Sequence, residues 1–116
     1  MPNIVKDKSF AFAVRIVAVS NKLQTERKEF VISKQLLRSG TAIGALVRES
    51  EHAESRADFI HKLAIAQKEA SETAYWIELL DASNYLEREA FESLHGDVVE
   101  LLRLLAAIIK SSKTTQ

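Results

Sequence analysis

Two Glu-x-x-His steps, Glu49 with His52 and Glu92 with His95, come nearest to a chemical motif in this chain. Paired steps of this kind build di-metal centres in helical bundles, where each remaining helix adds an inward Glu. Here the two steps are expected at opposite ends of parallel helices, and no carboxylate lies between Lys8 and Gln24 to complete the set. No metal and no cofactor is therefore expected. His61, the third histidine, reads as a solvated side chain. Cysteine is absent, which removes disulfides, thiolate metal sites and cysteine nucleophiles. No Ser-His-Asp arrangement can be assembled from the spacing of the remaining residues. The chain reads as a non-enzyme with no catalytic residue.

Binding chemistry is the alternative. Lys22, Arg27, Lys28, Lys34 and Arg38 are candidates for phosphate contacts with RNA or DNA, and copies in an oligomer would multiply their effect. Tyr75 and Trp76 are of the type that stacks on bases, although packing is the expected role of Trp76. A second set, Arg38, Arg48, Glu49, Lys62, Glu69 and Glu72, is expected to form a polar patch between helices. Glu69 and Glu72 should meet Arg38 or Arg48 there, and Asp58–Lys62 and Lys68–Glu72 are spaced to pair along one helix. Basic and acidic residues balance at 16 each, so net charge drives no nonspecific binding. Their distribution is uneven: residues 1–48 carry a net +6, residues 49–100 a net −9 and the tail +3. Oppositely charged helices lying side by side, or meeting between subunits, account for that pattern.

These side chains must be positioned by helices. In residues 55–83 the apolar positions Phe59, Leu63, Ala66, Ala70, Ala74, Ile77 and Leu80 recur three or four apart, with no Gly or Pro between them. A helix of that length spans roughly 40 Å and needs long neighbours to bury its stripe. The other helices are expected at 9–24, with Ser9 as N-cap, at 29–53 and at 87–110, followed by a frayed polar tail. Residues 1–116 thus read as one domain, an all-α, antiparallel up-down-up-down four-helix bundle. Lys8, Arg15 and Lys22 form a narrow polar stripe on the first helix. Gly40 and Gly44 inside the second cost roughly 1 kcal/mol each against Ala, so a neighbouring helix is expected to approach closely there. The first and last helices carry apolar residues on more than one face. That surplus, including the flanks of Phe12 and Leu104, calls for a homo-oligomer. No segment approaches the roughly 20 apolar residues of a membrane span, and the start lacks the apolar core of a signal peptide. No membrane association and a cytoplasmic location are expected.

The stretch EFVISKQLLRSGTAIGALVRES, followed by ADFIHKLAIAQKEASETAYWIELL, resembles the bacterial four-helix-bundle family related to proteins encoded in intervening sequences of large-subunit ribosomal RNA genes. A neighbouring branch is the accessory variability determinant of diversity-generating retroelements. The resemblance implies an antiparallel bundle assembled into a ring-like homo-oligomer, a pentamer, with no catalytic activity. For the retroelement branch it implies contact with nucleic acid. Arg38, Glu49, Asp58, Phe59, Lys62, Lys68, Glu69, Glu72 and Trp76 match the family pattern, whereas Leu46 stands where the family usually has Asn. The reading is a non-enzymatic homo-oligomeric assembly or binding module associated with RNA or a ribonucleoprotein. The alternatives are a scaffold for a protein partner without nucleic acid and a metal-binding bundle.

Overall fold

Asn3 starts the first helix. Its side chain accepts a hydrogen bond from the backbone N–H of Lys6 at 3.1 Å, and Asp7 adds a negative charge to the first turn. The structure, a computed structural model, describes residues 3–114. Four helices follow one another: α1 (Ile4–Glu26), α2 (Ile32–Ser50), α3 (Arg56–Ala82) and α4 (Arg88–Thr114). No strand occurs among the described residues. The particle measures 50 × 22 × 21 Å, one long helix by two helix diameters.

The helix ends differ from the sequence expectation for identifiable reasons. α1 begins at Ile4 rather than Ser9, because Asn3 is the cap; Ser9 is instead a buried residue of the helix interior. At its other end Lys28 turns left-handed (φ 55°), and the Glu29 N–H closes on the Leu23 carbonyl at 3.1 Å. Glu29 then opens α2 from outside it. Its carboxylate accepts from the N–H groups of Val31, Ile32 and Ser33 at 3.1, 3.0 and 2.7 Å, which supplies partners for the orphan donors of the first turn. α3 is capped by Ser55, whose hydroxyl accepts from Asp58 N–H while the Asp58 carboxylate accepts from Glu54 N–H. It ends where Asn84 turns left-handed (φ 64°) and Tyr85 N–H bonds to Leu80 O at 2.9 Å. α4 runs on to Thr114, past the expected end at 110, and its Ser112 carbonyl accepts from Arg56 of α3.

Sequential helices pack along their lengths, and of the four neighbouring pairs α1 and α4 touch least. The core is a column of large side chains, with Phe12 and Ile16 from α1, Leu36 and Ile43 from α2, Leu63, Ile77 and Leu80 from α3, and Leu94, Leu101 and Leu105 from α4. Two glycines of α2 let α1 come close: a Cβ on Gly40 would lie 2.9 Å from two Ile16 carbons, and one on Gly44 would lie 3.3 Å from the Ser9 carbonyl oxygen. The polar stripe of α1 faces α4. Lys8 pairs with Glu100 at 3.1 Å, Arg15 pairs with Asp97, and Lys22 lies further along the same seam.

The surplus apolar surface lies largely on α1, one of the two helices where the sequence placed it, but not at Phe12 and not on α4. Phe12 is only 2% exposed, so its flank is not wetted. Outside the core column, Leu104, Ile108 and Ile109 of α4 are half-buried against it. What remains exposed is Ile4, Phe10, Val14 and Val17 on α1, Phe30 and Val31 at the α1–α2 corner, and Tyr75.

Candidate functional site

The five cations proposed for phosphate contact are divided by the fold. Arg38 lies on the face of α2 that meets α3, and its guanidinium donates to Glu69 at 3.2 and 3.3 Å and to Glu72. Arg27 lies over the Tyr85 ring, 4.7 Å from its centroid, and donates to the Asn84 carbonyl at 3.2 Å. Lys22, Lys28 and Lys34 are exposed and make no ion pair among the described residues. They gather at the end of the bundle that holds the α1–α2 and α3–α4 connections.

The polar patch is divided as well. Arg38, Glu69 and Glu72 form one network, joined by Trp76, whose indole N–H donates to Glu72 at 2.9 Å. Beneath it the Thr73 hydroxyl donates to the Glu69 carbonyl at 2.7 Å and accepts from the Ser39 hydroxyl at 2.9 Å. The indole N–H and the Arg38 guanidinium hold the Glu72 carboxyl below its ordinary range, outweighing burial. The hydrogen bond to Glu72 pushes Arg38 up in turn. Lys62 pairs with Glu49 across the same α2–α3 interface at 3.2 Å. Arg48 belongs to neither pair. It lies over the Phe10 ring, 5.2 Å from the centroid, on the opposite side of α2. The intrahelical pairs Asp58–Lys62 and Lys68–Glu72 do not form, because Lys62 and Glu72 are taken by partners on α2 and Asp58 by its cap. Contacts between helices displace pairs that are each worth only a few tenths of a kcal/mol.

The histidine steps do not converge. Glu49 is engaged by Lys62, and His95 approaches Glu78 of α3 at 2.9 Å and stacks on Phe91 instead of joining Glu92. Among the described residues no group of three or more His, Asp and Glu is placed to hold a metal ion. Nor is any described helix long and apolar enough to cross a membrane.

Two surface features were not anticipated. Phe30 and Val31 fall in the connection ahead of α2, where they are 48% and 74% exposed. The cue was Glu29, an acid one residue before an apolar pair, which works as a cap and leaves that pair outside the helix. The second is a cavity of about 250 Å³ on the α1–α4 seam at the same end, floored by Val19, Leu23, Leu86 and Ala90. On the other side of α1, Phe10 and Ala13 line a shallower groove with Thr41, Gly44, Ala45 and Arg48.

Similarity to known proteins agrees with this architecture. A crystal structure of a protein of unknown function from the S23 ribosomal protein family of Bacteroides thetaiotaomicron is 60% identical, superimposes with a TM-score of 0.92, and is matched over 93% of this chain and 96% of that one. No curated protein matches the chain. The model of the 23S rRNA-intervening sequence proteins covers residues 2–107, nearly the whole bundle, and the chain belongs to that family.

Proposed function

We propose that the protein is a non-enzymatic, homo-oligomeric module that assembles through the outer face of α1 and associates with RNA or a ribonucleoprotein in the cytoplasm. The observation that carries the assembly is the strip of Phe10, Val14 and Val17, each more than half exposed on consecutive outward turns of one helix. A contiguous apolar strip of this kind marks an interaction surface. It carries no charge of its own, which favours a protein surface over a phosphate backbone as its cover.

The RNA part rests on Lys22 and Lys28, uncommitted cations near the end of α1, which a ring would repeat once per subunit. The membership of an rRNA-related family supports the same reading. The pentamer implied by the resemblance is the proposed ring. Retention of RNA across a salt series tests the association: binding should weaken with a log–log slope of about −0.7 per phosphate contact. Absence of retention at low salt would leave an assembly scaffold for a protein partner.

A further inference from the structure

We infer that the α1–α2 corner holds a nucleotide of a single-stranded RNA, its base stacked on Phe30 and the adjoining phosphates on Lys28 and Lys34. This rests on the RNA association proposed above and adds to it the type of strand and the groups that grip it. Phe30 is half exposed and Val31 still more so, which leaves an aromatic face in water at the connection. Lys28 precedes Phe30 by two residues and Lys34 follows it by four; both are exposed and without an ion-pair partner among the described residues. The acids nearest in sequence do not cancel that charge. Glu29 is buried, and its carboxylate is taken by the N–H groups of Val31, Ile32 and Ser33. Glu26 lies at the rim of the cavity between α1 and α4.

The backbone of Lys28 is an independent sign. It is left-handed (φ 55°) at the end of α1, where helices usually finish on Gly or Asn because a Cβ crowds the following carbonyl. The equivalent turn after α3, closed by the same pattern of hydrogen bond, has Asn84 (φ 64°). Lys28 keeps this position at a steric cost, and its ammonium makes no hydrogen bond or ion pair among the described residues. A cation held in strain without a partner in its own chain fits a charge reserved for an outside phosphate. Base chemistry decides the strand. In a duplex the bases are already stacked and paired, and the A-form major groove is too narrow for side chains to read. The bases of a single strand are free to lie on an aromatic ring. A protein surface is the poorer occupant, since lysine is depleted at protein–protein interfaces.

Three variants of the full chain test this: Phe30→Ala, Lys28→Gly and Lys34→Gln. Each is titrated by fluorescence anisotropy against an oligouridylate, the same strand annealed to its complement, and an abasic strand of equal length. Melting temperature and sedimenting mass are followed alongside. The wild type should prefer the oligouridylate to both other probes. Phe30→Ala should weaken the oligouridylate roughly 5- to 150-fold per base stacked, leaving the abasic strand and the salt dependence unchanged. Lys34→Gln should reduce the log–log salt slope by about 0.7. Lys28→Gly should do the same while raising the melting temperature, because Gly relieves the left-handed backbone. Weaker binding with a gain in stability separates a ligand contact from a structural role. Should Phe30→Ala unfold the chain, the wild-type preference for bases over the abasic strand and the two lysine variants provide the same test. A wild type that binds no strand at low salt defeats the RNA association and this site with it. A wild type that binds RNA while the variants bind equally well overturns the corner alone, as does a preference for the duplex. A Phe30→Ala variant with altered mass and intact RNA affinity would make the corner a contact between copies and overturn the site too.

Discussion

Gly40 of α2 lies against Ile16 of α1 so closely that a Cβ at position 40 would come within 2.9 Å of both Cγ atoms of that isoleucine. Ile16 is fully buried and branched at Cβ, so it cannot swing aside. Gly40→Ala gains about 1 kcal/mol of helix propensity but overpacks at a cost of about 1–3 kcal/mol. Urea titration should show net destabilisation, reversing to stabilisation in an Ile16→Ala background. Gly96 of α4 provides the contrast. Nothing lies within 4 Å of its absent Cβ, so Gly96→Ala should stabilise by about 0.8–1 kcal/mol.

Glu29 is the cap of α2. Burial pushes its carboxyl up, but the hydrogen bonds from Ile32, Ser33 and Val31 N–H outweigh it and hold the group below its ordinary value of 4.5. A depressed folded-state value means stability that is complete above the unfolded value and is lost as pH falls through the folded one. Glu29→Ala should cost about 1–2 kcal/mol at neutral pH, with most of that difference from wild type disappearing in acid. Denaturant midpoints at neutral pH and below pH ~4 check it.

The Arg38–Glu72 pair is half exposed on the Arg38 side, which limits what it contributes. A double-mutant cycle with Arg38→Ala and Glu72→Ala should give a coupling of about 0.3–1 kcal/mol, reduced at about 1 M salt, where screening acts over about 3 Å. Trp76→Phe should remove a second hydrogen bond from Glu72 and bring its carboxyl back toward the ordinary range, readable by side-chain NMR titration.

Val14 is more than half exposed and central in the α1 strip, so its loss should be felt between copies and not within one. Val14→Asp should change the stability of the single chain by less than about 0.5 kcal/mol while weakening assembly. Far-UV melting paired with light scattering separates the two effects.

Four long helices were legible because apolar residues three and four apart leave one stripe per helix, and the stripe of α3 is the core residues Leu63, Ala66, Ala70, Ile77 and Leu80. The start of that stretch was legible as well, and Ser55, its first residue, caps the helix. Ser9 misled because a small polar residue before an apolar run also suits a tight crossing, and the nearby backbone of Gly44 shows that crossing to be its role. Sequence spacing overrated the pairs within α3, since it records neighbours along one helix and is blind to Glu49 and Arg38 arriving from another. The surplus apolar surface was legible on α1 as a helix but not residue by residue. Whether Phe12 or Phe10 faces outward depends on where α2 and α4 dock, and that is fixed by Gly40, Gly44 and the Arg15–Asp97 pair. The corner and the cavity were invisible, since both arise from how separate helix ends come together.

Equilibrium sedimentation of the unmodified chain at micromolar and higher concentration tests the central claim most directly. A protein that covers its α1 strip with further copies sediments as one species several times heavier than the 13.0 kDa chain. A particle that holds at 13.0 kDa across that range, with Phe10, Val14 and Val17 left in water, would contradict it.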